Sequence, residues 1–208
     1  MTAVNAVDSI VETPEALRAM QARRSVSPKR LAAPGPTAAQ LELVMQAALR
    51  APDHGGLTPW RAIQIPDDRR AELAQIFAEE KQRRDPLASA EDLQRAREHA
   101  LNAPTLIAFV VSPRAGVTVP VQDQWLAAGA ALGNMLNALD ALGFGAIMLS
   151  GDRCSDAPLL ESLGLQQGER LAGFISAGTI SKSPPLAIAK SIDRVWSQWC
   201  GVKAKQPQ

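Results

Sequence analysis

Two guanidinium groups and a hydroxyl stand side by side early in the chain, at Arg23, Arg24 and Ser25. Arginine donates forked, charge-assisted hydrogen bonds, and this geometry suits a phosphate group. A cluster of this kind at the end of a helix is therefore a candidate phosphate site. The plain alternative is a pair of solvated surface arginines, because arginine is mostly exposed in proteins.

A second candidate is the segment "APDHGGLTPW", Ala51–Trp60, which holds one of the two histidines and two adjacent glycines. His54 can present a ring or a hydrogen-bond donor to a ligand. The alternative is a polar surface loop, since connecting segments usually run over the surface. An indole such as that of Trp60 is most often a packing residue.

A third candidate is the pair Ser150 and Gly151, which follows the strand-like residues 146–149. Ligands of α/β folds bind beyond the carboxyl ends of strands. A Ser-Gly pair is also an ordinary turn, so this pair alone does not decide between the two interpretations.

The sequence lacks the motifs of several classes of protein. The chain has no phosphate-binding P-loop, no G-x-G-x-x-G after a strand and no G-x-S-x-G elbow. Two histidines argue against a His-rich metal centre, and a net charge of +1 gives no reason to expect nucleic acid or a membrane as partner. Cys154 and Cys200 show no disulfide or metal spacing, and no secretory signal or long apolar run is present, so we expect a cytoplasmic protein.

Hydrophobic patterning predicts the elements that must position these residues. Residues 103–113 form a continuous apolar run between prolines, which predicts a strand buried on both faces. Further strands are predicted at residues 60–66 and 146–149 and in a segment ending at Gly178. Helices are predicted at residues 14–24, 41–51, 67–84, 89–102, 122–142 and 157–165. This order favours an α+β or α/β layer architecture, with one domain over residues 1–208 and a flexible extension at residues 1–12.

Taken together, the motifs resemble those of the nitroreductase family of flavoproteins, and their form is most similar to its small branch. Their order and spacing carry the resemblance, because each motif alone is weak. The matching segments are "RRSV" (Arg23–Val26), "APDHGGLTPW" (Ala51–Trp60), "GAALGNMLNALDALGFG" (Gly129–Gly145) and "LSG" (Leu149–Gly151).

The resemblance implies an α+β fold with a central, mostly antiparallel sheet flanked by helices. It also implies a homodimer with one FMN per subunit at the interface. The predicted helix 122–142 is rich in alanine and glycine, which suits a central dimer helix, although an intrasubunit core helix has the same composition.

The resemblance further implies which residues contact the flavin. A backbone N–H near Ser150 would point at the flavin N5, and Lys182 would be a second cation for the phosphate. The chain departs from the family at three of these positions: Thr58 replaces a longer amide, and Met148 and Leu149 replace an aromatic residue and an arginine. The implied cofactor-binding residues are Arg23, Arg24, Ser25, His54, Thr58, Met148, Leu149, Ser150, Gly151 and Lys182.

The implied activity is hydride transfer from NADH or NADPH through FMN to a small-molecule electron acceptor, a nitroaromatic, a quinone or a related electrophile, by ping-pong kinetics. No side chain is assigned as acid or base, because the flavin carries the chemistry. Two alternatives remain: a flavin-binding protein without turnover, and an enzyme of the same fold that rearranges or dehalogenates flavin-linked substrates. The second would need lid residues, which residues 67–102 do not reveal, because their charge alternation fits a solvated helical pair.

Overall fold

The computed structural model describes residues 12–186 and 190–201 of the 208-residue chain. The predicted N-terminal extension, residues 1–12, lies outside the described residues except for its last position. The described helices are α1 (Glu15–Ala22), α2 (Ala38–Ala48), α3 (Arg70–Arg84), α4 (Ala90–Leu101), α5 (Val121–Ala141) and α6 (Ala157–Ser162). The described strands are β1 (Leu31–Ala32), β2 (Trp60–Gln64), β3 (Thr105–Val111), β4 (Phe144–Leu149) and β5 (Arg170–Ile180).

The strands form one sheet in which β3 and β5 are central. β2 pairs with the free side of β3, β4 pairs with the other side of β5, and all of these pairings are antiparallel. The two-residue strand β1 pairs with the end of β5 on the same side as β3, where Leu31 lies opposite Ile180. The predicted α+β architecture with a mostly antiparallel sheet is confirmed.

Helices cover both faces of the sheet and complete a three-layer arrangement. Helices α2 and α5 pack on one face, where Met135 meets Phe109 in a buried cluster. Helices α3, α4 and α6 pack on the other face, where Phe77, Leu106 and Leu159 are buried together. Every residue of β3 is buried, as its apolar run predicts, because alternate side chains enter the two cores.

The fold differs from the sequence-based expectation at the ends of β4 and β5. β4 begins at Phe144, two residues before the predicted strand, and Gly143 makes the turn after α5 at φ +85°. A Cβ on Gly145 would lie 2.8 Å from both Leu31 and Ile180, so only glycine lets β1 and β5 come this close to β4. β5 also continues to Ile180, past the predicted end, because β1 pairs there.

The segment 67–102 is a packed layer and not a solvated helical pair. Helix α3 buries Phe77 against the sheet and also buries two charged side chains, Arg70 and Glu80. The Arg70 guanidinium donates to the backbone carbonyls of Ile65, Ala100, Ala103 and Pro104, which ties α3 to the end of α4 and the start of β3. The charge pattern of the sequence could not show that this segment is packed, because it does not reveal that Arg70 is buried and bonded to backbone carbonyls.

Within the described ranges, no helix combines the length and the apolar character that a membrane crossing requires. Helix α5 has two distinct sides. Ala127, Ala128 and Ala131 are buried in the core, whereas Gly129 and Leu126 face outward. The small residues therefore serve the intrasubunit core on one side of α5 and leave the other side open.

Candidate functional site

The segment Arg23–Val26 lies along the outer edge of β4. Ser25 forms a parallel backbone bridge with Ala146, and the Val26 N–H donates to the Ala146 carbonyl at 3.0 Å. Backbone groups of a strand alternate between its two edges, so those of Met148 point the same way as those of Ala146. The part of the edge next to Met148 receives no such bridge among the described residues and stays open.

The side chains of Arg23 and Arg24 enter different surroundings, because an extended backbone points consecutive side chains in opposite directions. Arg24 Nη1 donates to the carbonyl oxygens of Pro185 at 2.9 Å and Pro184 at 3.4 Å. Arg23 lines an open groove between α1, α2 and α5, together with Arg50. The structure therefore places both guanidinium groups beside the β4 edge segment but does not direct them at one point.

Lys182 lies at the same end of the sheet as Arg24. β5 ends at Ile180, and the following Ser181 N–H donates to the Arg30 carbonyl at 2.9 Å. Arg30 Nη1 in turn donates to the Ser183 carbonyl at 2.7 Å. These bonds anchor the residues on both sides of Lys182 to the chain that follows Ser25, and the Lys182 side chain is exposed.

The end of β4 opens into a cavity of about 400 Å³. Ser150 and Gly151 are exposed at its mouth, and Leu149 is 40% exposed. Gly151 has φ 154° and ψ −170°, a backbone conformation open essentially to glycine alone. The remaining lining residues are Phe77, Arg84, His99, Leu106, Asp152, Arg153, Phe174 and Ser176.

The loop that carries His54 and Thr58 is rigidly built. Gly55 has φ +78°, and Thr58 has φ +47°, which is rare for a β-branched residue. The Thr58 N–H donates to Asp53 Oδ2 at 2.6 Å, and this bond holds the strained turn. The other oxygen, Asp53 Oδ1, is buried and has no hydrogen-bond partner. Backbone strain of this kind clusters at ligand-binding segments, so the loop is a candidate ligand-contacting segment.

His54 makes a side-chain hydrogen bond that the sequence does not signal. Its Nδ1 lies 2.9 Å from Asp123 Oδ2, and Asp123 stands in the first turn of α5. A carboxylate accepts hydrogen bonds, so the contact assigns the proton to Nδ1 and leaves Nε2 for another partner. The pair borders an open groove with Leu126 and Ala130. The two residues are 69 positions apart, and only the fold brings them together.

The predicted site residues fall into two groups. Arg23, Arg24, Ser25, Lys182 and the segment 148–151 belong to the β4 edge. His54 and Thr58 belong to the loop beside α5. In the part of the chain that the structure describes, no hydrogen bond or ion pair connects the two groups, and the cavities that hold Ser150 and His54 have no lining residue in common.

A buried charged cluster under the β4 end has no counterpart in the sequence-based prediction. Glu80 is 1% exposed, its Oε1 accepts from Arg84 Nε at 2.6 Å, and its Oε2 lies 3.8 Å from Arg153 Nε. The Arg153 guanidinium stacks over the Phe77 ring at 4.2 Å. Arg153 Nη2 also donates to His99 Nδ1 at 3.3 Å. Partial burial, together with Arg153, lowers the pKa of His99, which favours the neutral imidazole that accepts this hydrogen bond.

Among residues 12–186 and 190–201, no group of three or more His, Cys, Asp or Glu side chains could hold a metal ion.

The fold and the β4 edge define an α+β protein with a candidate mononucleotide site at the end of a sheet. The chain belongs to the nitroreductase family, whose sequence profile matches residues 20–179.

Similar proteins agree with this assignment. The chain is 31% identical over 182 residues to the Escherichia coli K12 protein named "Putative NAD(P)H nitroreductase YdjA", covering 86% of this chain and 93% of that protein. The nitroreductase-like family protein from Bacillus cereus superposes with a TM-score of 0.76 at 18% identity, over 93% of this chain and 100% of that one. A Bacteroides fragilis nitroreductase with bound FMN has a TM-score of 0.66 at 21% identity, over 89% and 99% of the two chains.

Proposed function

We propose that the protein is an FMN-dependent oxidoreductase that moves a hydride from NADH or NADPH to a nitroaromatic, a quinone or a similar small acceptor in two half-reactions. When bound, FMN supplies the capacity to take up and release the hydride. The family assignment and the name of the E. coli relative support this class of activity. The observation that carries the proposal is the Ser25–Ala146 bridge, since it aligns the arginine segment with the strand that ends just before Ser150.

The residues along β4 fit a phosphate at one end and a ring at the other. Ser150 follows Ala146 by four residue steps, a span of about 13 Å in extended chain. At the first end, Arg24 keeps Nε and Nη2 as donors, Lys182 is exposed, and Ser25 adds a hydroxyl. These groups would bind the phosphate and the polyol chain. The open edge at Met148 would lie alongside the polyol.

At the second end, the backbone of Ser150 and Gly151 would receive the ring. Both residues are exposed, and among the described residues no atom beyond Gly151 and its two chain neighbours lies within 4 Å of the position that a Gly151 Cβ would occupy. A backbone N–H here would donate to the ring nitrogen that exchanges the hydride. Donors fixed in this way need no reorganisation during the reaction.

We also propose a homodimer that unites the two groups of site residues, with His54 and Thr58 of a second copy completing the site on the β4 edge. The open side of α5 exposes Trp125 and Leu126, and large apolar patches on a surface often mark interaction sites. Further apolar side chains are exposed near the end of the described chain, where Trp196 and Trp199 are 74% and 87% exposed. A second copy is the partner that would cover them.

Absorption and turnover of the purified protein test the proposal. We expect flavin peaks, oxidation of NADH or NADPH in the presence of a nitroaromatic or quinone, and parallel lines in double-reciprocal plots. A protein that stays colourless after reconstitution with FMN would contradict the cofactor assignment. Tight FMN binding without reduction by either nicotinamide would instead favour a non-catalytic flavin-binding protein. Sedimentation at micromolar concentration tests the dimer, and a monomer with full activity would refute the shared site.

A further inference from the structure

The cavity beside Ser150 and Gly151 combines flat apolar walls with guanidinium donors. Phe77 and Phe174 meet edge to face at its floor, with ring centroids 5.2 Å apart, and Leu106 lies beside them. Arg84 and Arg153 line the same space. A planar ring with carbonyl and ring-nitrogen acceptors along one edge is the kind of ligand that such surfaces accommodate.

The two guanidinium groups are fixed in place and still have free donors. Arg153 is stacked on Phe77 and uses Nη2 toward His99, while its Nη1 makes no hydrogen bond among the described residues. Arg84 uses Nε toward Glu80 and has a weak Nη1 contact with Asp152 at 3.4 Å. Nη2 of Arg84 has no partner in the described part of the chain.

The electrostatic potential in the cavity depends on few charges. His99 is neutral for the reason given above, and the Asp152 side chain is 78% exposed, so water screens its charge. Glu80 lies directly beneath the arginines and is almost fully buried, with Oε2 unbonded. Arg84 lines the cavity and pairs with Glu80 through Oε1, so Arg84 and Arg153 both carry positive charge beside this single carboxylate. Arg153 and Glu80 therefore act against each other on any group that enters the cavity.

We propose that this cavity receives the pyrimidine edge of the FMN ring, and that the opposed charges of Arg153 and Glu80 set the reduction potential of the bound flavin. The inference rests on the proposed FMN site, since Ser150 and Gly151 meet the ring nitrogen next to that edge. Two-electron reduction leaves negative charge on the pyrimidine part of the ring. Arg153 stabilises that charge and raises the potential, whereas Glu80 destabilises it and lowers the potential.

The test is the midpoint potential of FMN bound to the full-length protein, measured by chemical reduction against a reference dye, so that no turnover is required. We expect Arg153→Gln to make reduction about tenfold less favourable, which is about 30 mV for a two-electron couple. Glu80→Gln should shift the potential in the opposite direction. Arg153→Lys should stay near the parent, and Arg69→Gln, an exposed arginine on the same side of the sheet, should have no effect.

The opposite signs separate an electrostatic role from a structural one. If Arg153→Gln fails to fold because Glu80 loses a partner, comparing Glu80→Gln with the double variant Glu80→Gln/Arg153→Gln isolates the effect of the arginine. Shifts of the same sign, or no shift beyond that of Arg69→Gln, would overturn the inference alone. Failure to bind FMN at all would overturn both proposals. Binding without reduction by NADH or NADPH would refute the catalytic proposal only, and the potential would still be measurable.

Discussion

Ser25 lies beside Ala146 in a parallel backbone bridge, at the edge of a sheet whose strand pairings are antiparallel. The bridge fixes the segment of the two arginines relative to β4. It therefore also fixes how far the arginines lie from Ser150, where the strand has ended. A phosphate site and a ring site on one edge strand need this kind of register, since a slip along the strand would change their separation.

Arginine substitutions test the phosphate end. Arg24→Ala should weaken FMN binding by about 1.5–3 kcal/mol, roughly 10- to 150-fold in Kd, because its charged hydrogen bonds to the phosphate are lost. Arg23→Ala should have a smaller effect, because Arg23 lines a separate groove with Arg50, and the double variant should lose more. Fluorescence titration of the apoprotein with FMN measures the effect, and Arg95→Ala on the exposed side of α4 is the matched control. Unchanged affinity in the double variant would contradict the assigned role.

Gly145→Ala tests the register itself. The added methyl would lie 3.0 Å from Val26 Cβ as well as close to Leu31 and Ile180, so the arginine segment must move away from β4. Overpacking of this kind costs about 1–3 kcal/mol of unfolding free energy, and we expect FMN affinity to fall as well. Urea unfolding measures the free energy of unfolding, and fluorescence titration measures the FMN affinity.

Gly178→Ala is the control for that experiment. Gly178 lies opposite Gly145 on β5, and its added methyl would meet Pro104 at 2.7 Å, away from Val26. This variant should lose stability while keeping its FMN affinity. Equal losses of affinity in the two variants would show that the bridge is not what aligns the site.

The His54–Asp123 contact predicts coupled substitutions. If Asp123 orients the imidazole for the flavin, Asp123→Ala should weaken FMN binding only when His54 is present. A double-mutant cycle on FMN affinity should give a coupling of about 0.5–1 kcal/mol, because the pair is largely exposed. Additive effects of Asp123→Ala and His54→Ala would show that the contact has no bearing on the cofactor.

The Arg61–Glu169 pair predicts a pH dependence of stability. Arg61 Nε and Nη2 both donate to this carboxylate at 2.7 Å, and the hydrogen bonds with Arg61 lower the pKa of Glu169. The contribution of this pair to the free energy of unfolding is therefore complete above the unfolded-state pKa of Glu169, about 4.3. It is lost as the pH falls through the lower, folded-state pKa.

We expect Glu169→Gln to cost about 1–2 kcal/mol of unfolding free energy at pH 7, a value reduced because Arg61 is partly exposed. The difference from the parent should shrink below about pH 4, where the parent carboxylate becomes protonated. Urea unfolding at several pH values measures this. Glu72→Gln, which breaks an exposed pair with Arg69, should change little at any pH. A difference that persists at low pH would assign the effect to packing.

The sequence was informative where local rules dominate. The apolar run around Phe109 is the buried central strand that its composition predicts. The order and spacing of the four motif segments were enough to indicate the family, although each segment alone is weak. β1 was missed, since two residues carry no period and form a strand only because β5 extends to meet them.

The candidate site was harder to predict where it depends on contacts distant in sequence. Asp123 and Arg153 stand in segments whose charges resemble ordinary surface charge, and only the fold places them beside His54 and Glu80. Glu80 in particular is one of several acids on a charged helix, and nothing in its neighbours marks it as the buried one. Burial of a charge is a property of the packed layers and not of the local pattern.

The uncovered part of the β4 edge also matters for solubility. Unpaired backbone donors and acceptors along a strand edge are a template for pairing with other chains, and proteins blunt such edges to avoid aggregation. Here Ser25 and Val26 shield the beginning of the strand, and the strand stops at Leu149 before the glycine turn. A ligand lying along the open edge beside Met148 would cover these backbone groups. We therefore expect the apoprotein to aggregate more readily than the protein with ligand bound.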